Sequence, residues 1–156
     1  MLPAVPAAAG QSNVDFAAAD KLFWEILKFL WSCPNHGHEH PYRMKHIRGV
    51  QENVLEAIST NQMIILRDES GAIEHFISYW FISPEDVEGL KNNIKPAVRW
   101  QGDMLYISEH GNKGGRRSLT KMIQAIREIY PGKGVLWHGW NRHTFRIFKQ
   151  QKGEVA

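Results

Sequence analysis

The chain holds a single cysteine among its 156 residues. No internal disulfide can form, so nothing in the sequence points to an oxidising compartment. No uninterrupted apolar run reaches the ~18 residues that suggest a membrane-spanning helix. Glycine (13), proline (7) and charge (22%) are all unexceptional, which excludes collagen-like, coiled-coil and disordered chains. Charge of one sign is also scarce. Nineteen basic and 16 acidic side chains give +3, an excess that suits an anionic ligand but does not argue for nucleic acid. The Gly-x-x-x-x-Gly-Lys-Ser/Thr phosphate loop is missing, as are internal repeats and any domain boundary. What is present is a hydrophobic fraction of 43%, enough for one domain with a real core. Six tryptophans and eight histidines are unusual in so short a chain.

Residues 1–13 are rich in Ala and Pro, with no basic start, so no secretory signal is expected and the segment reads as a flexible arm or one that orders on a partner. The remainder, 14–156, reads as one domain. Helical spacing predicts a first helix from Asp15 to Trp31, capped by Asn13 or Asp15, with Phe23, Ile26, Leu27 and Leu30 inward. Pro34 ends it. A second helix is expected over Tyr42–Ser59, with Ile47, Val50, Val54, Leu55 and Ile58 inward. Met63–Leu66 and Ala72–Ile82 predict an antiparallel hairpin around Asp68-Glu69-Ser70-Gly71. Ser83-Pro84 starts a short helix. A strand from Met104 to Ser108, a basic loop, a helix from Ser118 to Tyr130, a strand from Val135 to His138 and a closing helix over Arg142–Gln150 complete the order. The fold class is α+β, with a central, mostly antiparallel sheet.

Three segments could carry chemistry. The loop His110 to Arg117 holds Gly111, Lys113, Gly114, Gly115, Arg116 and Arg117 between a strand and a helix. Glycines let backbone N–H groups close on an anion, and a helix N-terminus carries partial positive charge. The loop would suit the phosphate of an acyl carrier, or be a solvated helix cap. His36 follows a helix-ending proline, where an imidazole can move a proton near neutral pH or simply pack. His36, His38 and His40 alternate, but Gly37 and Pro41 make the segment a loop, and no metal is expected. Cys33 could be a nucleophile or a packed thiol. Glu109, at a strand end, could orient an imidazole or be an exposed acid. Trp24, Trp31, Trp80 and Trp100 read as core and cleft wall.

Leu30-Trp31-Ser32-Cys33-Pro34-Asn35-His36 resembles the Leu-Trp…Ser-Pro-x-His motif of the toxin-activating lysine acyltransferases. Ala57-Ile58-Ser59-Thr60-Asn61-Gln62 with Ile64-Ile65-Leu66-Arg67-Asp68 is similar to that family's helix-to-hairpin passage. Gly102-Asp103-Met104-Leu105-Tyr106-Ile107-Ser108-Glu109 resembles its Gly-Asp-x-x-aromatic-x-x-Asp strand. The ending from Trp140-Asn141 through Phe145 to Phe148 resembles the Asn-then-aromatic helix of the GNAT acetyltransferases.

The resemblance implies a GNAT-like three-layer fold and acyl transfer from acyl carrier protein or acyl-CoA to a lysine amine. It places the family's catalytic His on His36, its Asp on Glu109 and its Ser on Cys33. The last two differ in chemistry from the family. The basic loop is closer to a GNAT pyrophosphate loop, so phosphopantetheine of an acyl carrier protein and acyl-CoA both stay open as donors, with no tightly bound cofactor. Partners would be an acyl carrier protein and a protein acceptor, in the cytoplasm. The competing expectation is a silent GNAT-like phage protein in a virion or in head assembly. No nucleic-acid partner and no membrane span are expected, and homo-oligomerisation stays open. A third expectation is an acetyltransferase using acetyl-CoA.

Overall fold

The computed structural model describes residues 15–33, 47–113, 116–138 and 145–148. The arm at 1–13 and the histidine trio lie outside them. Helix α1 spans Phe16–Ser32. The Asp15 carboxylate accepts from the Ala18 N–H at 3.0 Å, satisfying a donor that the first turn leaves unpaired; such a cap contributes about 1 kcal/mol. Helix α2 spans Ile47–Thr60. Its buried stripe is Val50, Val54 and Ala57, while Leu55 is 53% exposed, contrary to expectation, because it lies one residue round from that stripe.

Strands β1 (Met63–Arg67) and β2 (Ile73–Ile82) form the expected antiparallel hairpin. Its turn is tied by Asp68, whose Oδ1 accepts from the Ser70 N–H, the Ser70 hydroxyl and the Ala72 N–H. Gly71 supplies a φ of 90° there, which a side chain would resist. Helix α3 is short, Asp86–Lys91. Strand β3 runs from Met104 to Asn112, four residues further than the sequence suggests. Helix α4 spans Arg116–Ile129 and strand β4 spans Gly134–His138. Strand β5, Phe145–Phe148, pairs antiparallel with β4. The closing helix expected over 142–150 is therefore wrong at its centre: those four residues complete a sheet edge.

The sheet order is β1-β2-β3-β4-β5. Among the described strands, only β3 and β4 pair in parallel. The chain is thus α+β, with a mixed sheet flanked by helices. On one face, α1 and α2 bury Ile26, Leu30, Val50 and Val54 against Ile73 and Phe76. On the other, Met122 and Ile126 of α4 pack on Ile77, Tyr79, Leu105 and Ile107. Near α3, Trp80 and Ile82 meet Leu90 and Leu136.

Trp80 is buried, but Trp24, Trp31 and Trp100 are 51%, 46% and 59% exposed. The first two sit seven residues apart on the side of α1 turned away from Ile26, Leu30 and Cys33, so they are not cleft wall. Among the described residues, no helix is long and apolar enough to cross a membrane.

Residues 94–100 run back past Trp80. Arg99 donates to both Glu56 carboxylate oxygens of α2, from Nε at 2.8 Å and from Nη2 at 2.7 Å. Its carbonyl accepts from the Phe81 N–H and from buried Gln62. Lys95 and Arg99 lie over the Trp80 ring at 5.3 and 5.7 Å. The Arg99 guanidinium holds the Glu56 carboxyl below its ordinary value, as a charge-assisted fork does.

Candidate functional site

The parallel pairing of β3 with β4 runs from Met104 opposite Gly134 to Ile107 opposite Trp137. Beyond Ile107, β3 continues to Asn112 against β2, from Glu109 opposite Ser78 to Asn112 opposite His75. Among the described residues, Ile107 is thus the last of β3 to pair with β4.

A β-bulge lies at the same level of β3. Tyr79 opposes Ile107 and Ser78 opposes Glu109, so Ser108 has no opposite residue. An extra residue in one strand shifts the alternation of every side chain after it. Ser108 and Glu109 consequently both face the α1–α2 side. The Ser108 hydroxyl meets the Ser78 hydroxyl at 2.7 Å. Glu109 Oε1 accepts from Asn53 Nδ2 of α2 at 3.1 Å. Tyr106, on the same face, stacks on Trp80 with ring centres 5.2 Å apart. Burial, and then the charge of Glu109, push the Tyr106 phenol up to about 12.

Gly111 follows on this face, inside β3 rather than in the expected loop. A Cβ there would lie 2.7 Å from Leu30 Cδ2 and 2.9 Å from Cys33 Sγ. A side chain at 111 would therefore press on Leu30 and Cys33 at the end of α1, and the Gly111 backbone sits opposite Phe76 in the ladder.

Cys33 lies at the end of α1, buried against that strand. Burial pushes its thiol up to about 11, against opposing pulls from the Asn112 backbone and Lys113. The nucleophile is the thiolate, and at neutral pH this group is a thiol. We expect iodoacetamide at pH 7.5 to label native Cys33 at least about tenfold more slowly than the urea-unfolded chain. Equal rates would show an accessible, ionisable sulfur.

Lys113 is exposed at the end of β3. Its charge adds to the Ser70 hydrogen bond, the main cause, in holding the Asp68 carboxyl low. Gly114 and Gly115 lie outside the described residues. Arg116 and Arg117 open α4, whose first turn carries no acidic residue; their side chains are not described. His36 is also outside the described residues. Covalent geometry alone limits its Cα to about 11 Å from that of Cys33.

The structure thus brings Glu109 and Cys33 to the same face of one strand, along with Gly111. Asn53, Ser78, Ser108 and Tyr106 join them, and none was singled out from sequence. Their signal was polarity in apolar company. Asn53 lies beside the inward stripe of Val50, Val54 and Ala57, and each serine directly follows an isoleucine in its strand.

Comparison with protein-family models finds no match. Among curated proteins, none matches the chain.

Proposed function

We propose that the chain is a GNAT-like protein-lysine acyltransferase, moving an acyl group from acyl carrier protein or acyl-CoA to a lysine amine. The observation that carries the proposal is the bulge at Ser108. It turns Glu109 toward α2 just past Ile107, the last residue of β3 described as paired with β4. The thioester chain would lie along β3 beyond Ile107, beside this carboxylate.

The mechanism is direct transfer. The attacking lysine must first lose its proton, and His36 takes it, as the resemblance implies. Glu109, fixed by Asn53, orients the imidazole and favours its charged form. Backbone N–H groups at the bulge polarise the thioester carbonyl. Lys113, with Arg116 and Arg117, holds the donor phosphate. Cys33 plays no covalent part; its protonated, buried thiol packs α1 on β3.

The test is intact mass of lysine-bearing acceptor proteins after incubation with the purified chain and a fatty acyl carrier protein or acyl-CoA. The expected result is the mass of one acyl group per modified lysine, lost in His36→Ala. No transfer from any donor would return the silent phage-protein alternative.

A further inference from the structure

The hairpin contains a second bulge. Leu66 opposes His75 and Arg67 opposes Ile73, so Glu74 has no opposite residue. The bulge turns Glu74 and His75 to the same face of β2, the one covered by α4, while Ile73 and Phe76 turn toward α1 and α2. His75 is fully buried in the second strand of the sheet. Among the described residues, neither of its ring nitrogens has a hydrogen-bond partner.

Four elements pack around it. On its own strand, Glu74 Oε1 stands 3.6 Å from His75 Nε2. Across β1 is the apolar Leu66. On β3, Asn112 lies opposite and is itself buried, and His110, two residues earlier, alternates onto the same face. From α4, Lys121 Nζ reaches Glu74 Oε1 at 3.4 Å. Among the described residues, the titratable groups facing His75 are thus Glu74, His110 and Lys121.

A neutral imidazole carries one N–H donor, and burying it without an acceptor opposes folding. A charged imidazole here is worse placed. Its nearest anion, Glu74, is already engaged by Lys121. Burial accordingly keeps the imidazole below its ordinary value. Among the described residues, the ladder at this level consists of β1, β2 and β3 alone.

We propose that His75 is an acid-sensitive latch: proton uptake by this side chain releases the end of β3 and the first turns of α4 from β2. The latch does not depend on the acyltransferase proposal.

The sign follows from linkage. The closed state holds His75 neutral, whereas the opened imidazole takes a proton near its ordinary value of about 6.5. Closure is complete above that value and weakens as pH falls through it.

The test is amide hydrogen exchange of the full chain from pH 7.5 to 5, corrected for the intrinsic rate. Residues 108–113 and 116–122 are expected to lose protection by up to about tenfold per pH unit, while α1 keeps its own. In His75→Leu the pH dependence of these segments should vanish. Should that variant fail to fold, the wild-type His75 ring titration by NMR decides. A midpoint below 6.5 that coincides with the loss of protection supports the latch. Protection unchanged down to pH 5 would overturn it. So would an undiminished response in His75→Leu, which would move the switch to His110, or a His75 midpoint unrelated to the exchange.

Discussion

Glu109→Gln is expected to lower acyl transfer by at least about 100-fold while leaving the fold intact, the scale on which a positioned acid–base group acts. The amide keeps the shape and can still accept from Asn53 at Oε1, so the hydrogen bond at 3.1 Å survives. What disappears is the negative charge that would steady a protonated imidazole. Glu109→Asp keeps that charge but withdraws it by one methylene, away from Asn53, and should fall between the two. Initial rates of acyl-lysine formation at saturating donor measure the effect. A Gln variant with the wild-type rate would remove Glu109 from the chemistry.

A second readout does not depend on activity. Part of the elevation of the Tyr106 phenol comes from the Glu109 charge. Ultraviolet titration should therefore show Tyr106 ionising at lower pH in Glu109→Gln. Lost activity with an unmoved Tyr106 would point to a displaced carboxylate rather than a missing one.

Gly102→Ala is expected to destabilise the protein by about 3 kcal/mol, through strain and overpacking together. Gly102 has a φ of 155°, and a Cβ there would sit 2.2 Å from the Ile82 carbonyl oxygen and 2.8 Å from the Ile82 nitrogen. Both contacts are backbone, so no side-chain rotation relieves them. The chain from Arg99 to Gly102 would have to leave the end of β2, taking with it the Phe81 N–H to Arg99 bond. In a chain of this size the melting temperature should drop by roughly 10 °C. Gly49→Ala is the contrast. A Cβ at Gly49, inside α2, meets nothing within 4 Å, and that substitution should stabilise by up to about 1 kcal/mol through helix propensity. Paired thermal melts test both, and an unchanged midpoint for Gly102→Ala would contradict the clash.

Much of the local structure is written in short windows. The Ile26, Leu27 and Leu30 spacing and the Asp15 cap define α1 without help from elsewhere. Asp68 and Gly71 define the hairpin turn through bonds that span at most four residues. Glu109 stood out because a carboxylate there directly follows the expected strand and precedes a basic segment. Residues Phe145–Phe148 went wrong for the same local reason. Phe145 and Phe148 fit a helical period, Phe145 and Ile147 fit a strand, and four residues cannot arbitrate. Pairing with β4 decides it.

By itself, the sequence determined most of the helices and strands before residue 142 and where the charge of the Lys113 to Arg117 region sits, since these depend on neighbours a few residues apart. Only the tertiary structure decided which way the side chains of the site point. The bulges at Ser108 and Glu74 reverse the alternation of their strands, and a bulge is defined by the partner strand, about 30 residues away for Ser78 and Ser108. Without the first, Glu109 would face α4 and could not meet Asn53. Without the second, Glu74 and His75 would lie on opposite faces of β2. Register is a property of two strands at once, and no single window of sequence contains it.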